Sequence, residues 1–270
     1  MNMTEPPTGS ELCSDQPIFR RIFKEKTMKV MVTGGGGREH AIIKKLKESP
    51  EITEIYALPG NGGIAADAVC VDIAATDIEA QVEFALGNGI DYAVVAPDDP
   101  LIAGAVDALT KAGIPCFGPD KKAAMIEGSN VFSKNLMKKY GIPTAEYEVF
   151  DNAEQALEYL ETAPVPTVIK ADGPALGKGV IIAETREEAK NAVRTVMEEK
   201  KFGESGSKIV IEEYLTGPEV SVLAFTDGKT LVPMISSMDH KRELDGDRGL
   251  NTGGMGTVAP NPYYTEEIAA

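Results

Sequence analysis

From Met28 to about residue 120, short apolar runs closed by glycine or proline alternate with longer stretches of helical periodicity. That alternation restricts the chain to a parallel sheet covered by helices on both faces. Lys29 to Thr33 (KVMVT) runs directly into Gly34–Gly37, which reads as a buried strand and its turn. REHAIIKKLKES follows as a helix with Ala41, Ile42 and Leu46 on its apolar side, and Glu54 to Pro59 (EIYALP) is a second strand. Thr76-Asp77 opens a helix carrying Ile78, Val82 and Phe84 to Leu86. Tyr92 to Pro97 (YAVVAP) is a third strand, and a helix from about Ile102 to Ala112 leads into IPCFGP, a fourth. Residues 28–128 are therefore expected to form an α/β domain with a doubly wound parallel sheet.

Beyond it the pattern changes. Phe132, Leu136, Met137 and Tyr140 recur at helical spacing until Gly141-Ile142-Pro143 stops the helix. Asn152 with Gln155, and Thr185 with Glu188, are capping-box pairs that each open a helix. TVIKAD and GVIIAE are strands around a glycine-rich turn, and KIVIEEYL is a third. This is an α+β unit over about 148–215, within a region running from 129 to 270. EVSVLAFT and TLVPMISS then flank Asp227-Gly228, a hairpin signal. A polar loop from Met238 to Gly256 follows, and Thr265 offers an N-cap ahead of Glu266 and Glu267. Because the chain stops at Ala270, one turn into that helix, residues 216–270 are expected to be an incomplete central domain.

Composition narrows the function classes. Hydrophobic residues make up 43% and charged residues 26%, ordinary soluble usage. A net charge of −15 repels nucleic acid and anionic membranes, so any phosphate site must gather positive groups locally. Cys13, Cys70 and Cys116 are odd in number and widely spaced, which argues against disulfides or a zinc site and suits a reducing cytoplasm. No apolar run reaches membrane-spanning length. Residues 1–27 are polar and aperiodic and lack the apolar stretch of about 7–15 residues in a secretory signal. They read as a disordered extension.

Four segments could carry chemistry. Gly34–Gly37 sits where a dinucleotide fingerprint would, but Glu39 occupies the third glycine position and no acid follows the second strand. NAD is disfavoured; a sugar phosphate at a helix start, or simply a tight turn, remains. Gly173 to Gly179 is one residue short of a Walker A loop, and Gly179 stands where Ser or Thr would hold magnesium. A glycine hairpin flanked by Lys170 and carrying Lys178 can still fold over phosphate oxygens. Glu212 to Leu215 with Glu219 could hold a purine by backbone bonds and a ribose by an acid, although a solvated strand end is the commoner reading. Asp239-His240-Lys241-Arg242 and Asn251 to Gly256 combine charges with glycine turns, a pattern suited to carboxylate and phosphate recognition.

GGGGREHA, LPGNGG, PDDPL, EGSNVFSK, GIPTAEY, VIKADGPALGKGV, IVIEEYLTGPEVS and DHKR with NTGGMG together resemble the glycinamide ribonucleotide synthetase family of ATP-grasp ligases, nearly continuously from Met28 onward. The resemblance implies that ATP activates glycine as an acyl phosphate and that 5-phosphoribosylamine attacks it, giving glycinamide ribonucleotide, ADP and phosphate. It implies Lys134, Lys170, Gly173, Gly177, Lys178 and Gly179 on the triphosphate, Glu212, Tyr214 and Leu215 on adenine, and Glu219 on ribose. Gly37, Pro59, Gly60 and Asn61 would line the sugar-phosphate side. Asp239, Lys241 and Asn251 would act at the reacting groups, with Thr252, Gly253 and Gly254 on substrate. The family usually carries Glu where Asp98 stands. Its magnesium ligands lie in an E-x-N-x-R-x-G-D-P-E run that this sequence lacks, so no metal ligand is expected within it. A monomer without nucleic-acid or membrane partners is implied. The alternatives are a non-catalytic nucleotide-binding fragment and another ATP-grasp carboxylate–amine ligase.

Overall fold

The computed structural model describes residues 27–173, 179–199, 201–246 and 248–269, with the side chains at 204, 250 and 251 outside the description. The chain divides into two compact units, one up to Ala124 and the other from Met125.

In the first unit β1 (Met28–Gly34), α1 (Gly37–Leu46), β2 (Ile52–Pro59), β3 (Val69–Cys70), α2 (Ile78–Asn88) and β4 (Tyr92–Val95) follow in turn. Then come α3 (Asp98–Ala103), α4 (Ala105–Lys111) and β5 (Cys116–Phe117), and α5 (Lys121–Gly128) runs across the division between the units. The five strands form one parallel sheet ordered β3-β2-β1-β4-β5. Side chains alternate across it. Val30, Val32, Ile55 and Ala57 pack with Ile43 on one face, whereas Met31, Leu58, Ala93 and Val95 pack with Leu109 on the other. Burial on both faces is why these strands read as unbroken apolar runs.

The structure departs from expectation in several places. Val69–Cys70 is an additional edge strand of two exposed residues, too short for periodicity to reveal. Pro97 caps α3, and Pro100 sits in its first turn, where a missing N–H costs nothing. The expected helix over 102–112 is two helices, because Gly104 at φ 97° ends α3 and caps α4. In α1 the inward position belongs to Ile43, while Ala41 is exposed.

The second unit holds α6 (Asn130–Tyr140), β6 (Tyr147–Phe150), α7 (Ala153–Tyr159), β7 (Thr167–Ala171), β8 (Val180–Ala183), α8 (Arg186–Val193) and β9 (Ile209–Glu213). Its four strands form an antiparallel sheet ordered β6-β9-β7-β8. Asn152 and Thr185 cap α7 and α8 as expected, accepting from the amides of Gln155 and Glu188. Ile169, Ala171, Ile209 and Ile211 meet Ala156, Leu160, Ala189, Val193 and Val196 in a single core. By strand alternation Lys170 and Glu212 point to the opposite face of the sheet.

Helix α6 departs from its apolar pattern. Tyr140 is 64% exposed, and the inward position is taken by Lys134 at 7%. Farther on, β10 (Ala224–Thr226) and β11 (Leu231–Pro233) pair around Asp227-Gly228, and every residue of both strands is exposed. The polar stretch from Met238 is no plain loop. There β12 (Met238–Asp239) pairs with β15 (Thr257–Val258), and β13 (Arg242–Leu244) pairs with β14 (Arg248–Asn251). A short α9 (Glu266–Ala269) follows. Among the described residues no helix is long and apolar enough to cross a membrane.

Candidate functional site

In the first unit the strand order reverses between β1 and β4, and crevices at such a point sit at the carboxyl ends of the strands. Two glycine turns meet at the carboxyl ends of β1 and β2. Gly60 N donates to Gly34 O at 3.1 Å, and Asn61 Nδ2 donates to Gly35 O at 2.6 Å. Asn61 Oδ1 accepts from the amides of Gly63 and Ile64, so this side chain shapes its own turn as well as holding its neighbour. A Cβ on Gly35 would lie 2.5 Å from Gly60 O, and Gly60 has φ 72° with its Cβ position against the Cys70 side chain, so each turn needs its glycine for a separate reason. Pro59 ends β2. Gly37 is the first residue of α1, with open space around its Cα, while Gly36 N donates to Glu39 Oε2 at 2.6 Å.

Beside these turns is a cluster not anticipated from sequence. Asp67 is met by His40 Nε2 and by Lys47 Nζ, each at 2.8 Å. Hydrogen bonds from Lys47 and then His40 hold its carboxyl down at about 2. No motif joins these three residues, and only the fold of the β2–β3 connection brings Asp67 to α1.

In the second unit, Glu212 lies between Lys134 and Lys170. Its Oε2 is 2.6 Å from Lys134 Nζ, and its Oε1 contacts Lys170 Nζ. Lys134 Nζ also donates to Thr144 Oγ1 at 2.8 Å and to Ala145 O at 3.2 Å, and it stands over the Tyr147 ring. Two of the lysines expected at a triphosphate are therefore together, and the acid expected at adenine is between them. Thr144 and Ala145 were missed because their role depends on tertiary contact.

A second unanticipated network anchors the base of the glycine hairpin. Asp172 Oδ1 accepts from Ser129 Oγ and Val131 N, both at 2.8 Å, tying the end of β7 to the start of α6. Ser129 Oγ in turn caps that helix through Phe132 N. Gly173 N donates to Ser205 O at 3.4 Å, and Gly179 O accepts from Ala171 N at 2.9 Å. Gly177 and Lys178 lie outside the described residues.

Beyond β9 is a cavity of about 650 Å³ lined by Tyr214, Glu219, Asp239, His240, Lys241 and Arg242 among others. Lys241 Nζ pairs with Glu219 Oε1 at 2.8 Å and approaches Asp239 Oδ2 at 4.0 Å. Thr252 donates twice to Lys241 O, through N at 2.7 Å and Oγ1 at 2.8 Å, fixing the backbone that carries the lysine. Gly254, at φ 103°, lets the Asp239 carboxylate approach; a Cβ there would lie 2.9 Å from its Oδ1. Gly253 faces open space, Leu215 is exposed and not among the lining residues, and the backbone of Asn251 pairs with Arg242 in β14. Asn261 is buried and donates to Glu219 O and Ser237 O, a support that sequence reading missed. Among the described residues no group of three or more His, Cys, Asp or Glu could hold a metal ion.

Comparison with known proteins bears on this arrangement. The sequence profile of the phosphoribosylglycinamide synthetase N domain matches residues 28–127, and that of the phosphoribosylglycinamide synthetase ATP-grasp (A) domain matches residues 128–270. Phosphoribosylamine–glycine ligase of Clostridium acetobutylicum is 48% identical over 241 residues, covering 89% of this chain and 58% of that protein. The Haemophilus influenzae enzyme of the same name is also 48% identical, over 89% of this chain and 57% of its own length. The chain thus spans less than two thirds of the relatives it matches. The crystal structure of phosphoribosylamine–glycine ligase from Thermotoga maritima aligns with a TM-score of 0.71 at 35% identity, over 85% of this chain and 55% of that one. A biotin carboxylase domain from Hydrogenobacter thermophilus, solved with MgADP, ADP and bicarbonate, aligns at 0.67 over 80% of this chain and 51% of its own. At 19% identity it speaks for the fold alone. With its two halves matched in order by the two domains, the chain belongs to the phosphoribosylglycinamide synthetase family.

Proposed function

We propose that this chain carries the phospho-sugar and nucleotide parts of a phosphoribosylamine–glycine ligase. The reaction joins glycine to 5-phosphoribosylamine: ATP transfers its γ-phosphoryl to the glycine carboxylate, and the amine then displaces phosphate from glycyl phosphate. The observation that carries the reading is β9. Its Glu212 meets two lysines, and the chain just beyond it contributes Tyr214 and Glu219 to a cavity large enough for a small ligand.

In this reading Lys134 and Lys170 neutralise polyphosphate, and Gly173 and Gly179 with Gly177 and Lys178 form the lid over it. Tyr214, Leu215 and Glu219 hold adenosine. Asp239, Lys241 and Asn251, with the backbone of Thr252, Gly253 and Gly254, orient glycine. Gly37, Pro59, Gly60 and Asn61 receive the sugar phosphate. Catalysis is positioning and charge neutralisation, with no covalent bond to the protein.

The cavity and the paired lysines fit a nucleotide. Magnesium at a nucleotide is held by one or two carboxylates together with substrate phosphates. We assign its ligands to the part of the relatives that lies outside the matched region. The same part covers the exposed apolar hairpin, where Leu223, Phe225, Leu231 and Ile235 face solvent. The domains are then 28–128, 129–270 with a lid over about 148–215, and a central domain begun at 216. The protein acts as a cytoplasmic monomer.

Titration calorimetry with ATP, with and without magnesium, and a ligase assay with glycine and phosphoribosylamine test this. The expected outcome is weak nucleotide binding with little metal dependence and no turnover. Absence of nucleotide binding at millimolar concentration would overturn the nucleotide site. Robust formation of glycinamide ribonucleotide would overturn the incomplete metal site.

A further inference from the structure

The carboxylate between Lys134 and Lys170 is unexpected in a site that must attract phosphate. It cancels one of the two local positive charges, and burying it is itself costly. Glu212 is 7% exposed, and its buried Oε2 lies 2.6 Å from Lys134 Nζ, the contact on which its charge depends. Thr144 and Ala145 take two of the three donors of the Lys134 ammonium and fix it in place. Lys170, with 27% of its side chain exposed, is the more open cation and reaches Glu212 from the next strand. Alternation along β7 and β9 turns both groups away from α7 and α8, so this contact lies outside the main core.

We propose that Glu212 is a positioning residue. Each of its oxygens holds one ammonium, so that a fixed Lys134 and a more mobile Lys170 are presented side by side to the phosphates of a nucleoside di- or triphosphate. The inference rests on the nucleotide reading above and reassigns the Glu212 side chain from the purine to the cations. A lysine has several rotatable bonds and a compact ammonium, and without a tether it samples many positions. The carboxylate lowers the entropy cost of placing two cations against adjacent phosphates.

The test titrates the wild-type chain, Glu212→Gln and Glu212→Asp with ADP, inorganic tripolyphosphate and adenosine. Glu212→Gln is expected to weaken ADP and tripolyphosphate about tenfold or more, although it removes a negative charge, and to leave adenosine unchanged. Glu212→Asp, which keeps the charge, is expected to recover part of the loss. If Glu212→Gln binds ADP as tightly as wild type or tighter, charge alone governs the site and the positioning role is refuted, with the nucleotide reading intact. An equal loss for adenosine also refutes it. Failure of the wild type to bind ADP and tripolyphosphate overturns both. Should Glu212→Gln not fold, Lys134→Met/Glu212→Gln removes the buried pair together, and the same split between ADP and adenosine is expected.

Discussion

Asp172 accepts a 2.8 Å hydrogen bond from Ser129 across 43 residues of chain, joining the strand before the glycine hairpin to the cap of the helix that carries Lys134. Asp172→Ala strips partners from the Ser129 hydroxyl and the Val131 amide together. A loss of about 2 kcal/mol is expected, combining a weakened cap with unsatisfied donors. Urea denaturation measures it, and a midpoint indistinguishable from wild type would show that the network is not stabilising.

Gly34 and Gly37 are neighbours in sequence with opposite constraints. Gly34 has φ 120°, and a Cβ there would lie 2.6 Å from Glu39 Cγ and 2.9 Å from Pro97 Cγ. Gly34→Ala is expected to cost about 1–3 kcal/mol. Gly37→Ala meets open space at a helix start and is expected to be neutral or to stabilise by up to about 1 kcal/mol. Equal effects in thermal unfolding would contradict the distinction.

Asp67 links stability to acid pH. Its folded value of about 2 lies below its ordinary 3.8, because Lys47 and His40 bond the ionised form. Its contribution is therefore complete above the ordinary value and disappears as pH falls through the folded one. Unfolding free energy measured from pH 5 down to 2 is expected to fall less steeply in Asp67→Asn than in wild type. Parallel curves would rule out the linkage.

Leu231, 67% exposed on β11, tests the open apolar hairpin. Leu231→Glu is expected to change stability by less than about 0.5 kcal/mol while lowering binding of an apolar dye. Destabilisation beyond about 1.5 kcal/mol would mean that this position is already covered.

Features resting on neighbours in sequence were legible. Asn152 and Thr185 cap their helices because the bonds reach only three residues, and Asp227-Gly228 turns because its own backbone and side chain suffice. Gly104 was misread because a single glycine inside an apolar helical pattern leaves the periodicity intact while its positive φ breaks the helix. The candidate residues were found by type and order. Their pairing was hidden: Lys241 with Glu219, Asp239 against Gly254, and Lys134 with Glu212 all join distant segments.

The residue order alone determined a doubly wound parallel sheet followed by an α+β unit with a glycine hairpin, because hydrophobic period and turn chemistry act over a few residues. Only the tertiary structure decided which side of α6 turns inward. Apolar pattern favoured Phe132 and Tyr140, yet Lys134 is buried, because Glu212 on β9, Thr144 and the Ala145 carbonyl satisfy its charge. A buried ammonium is stable only where remote groups converge on it, and that convergence exists only once the strands have paired.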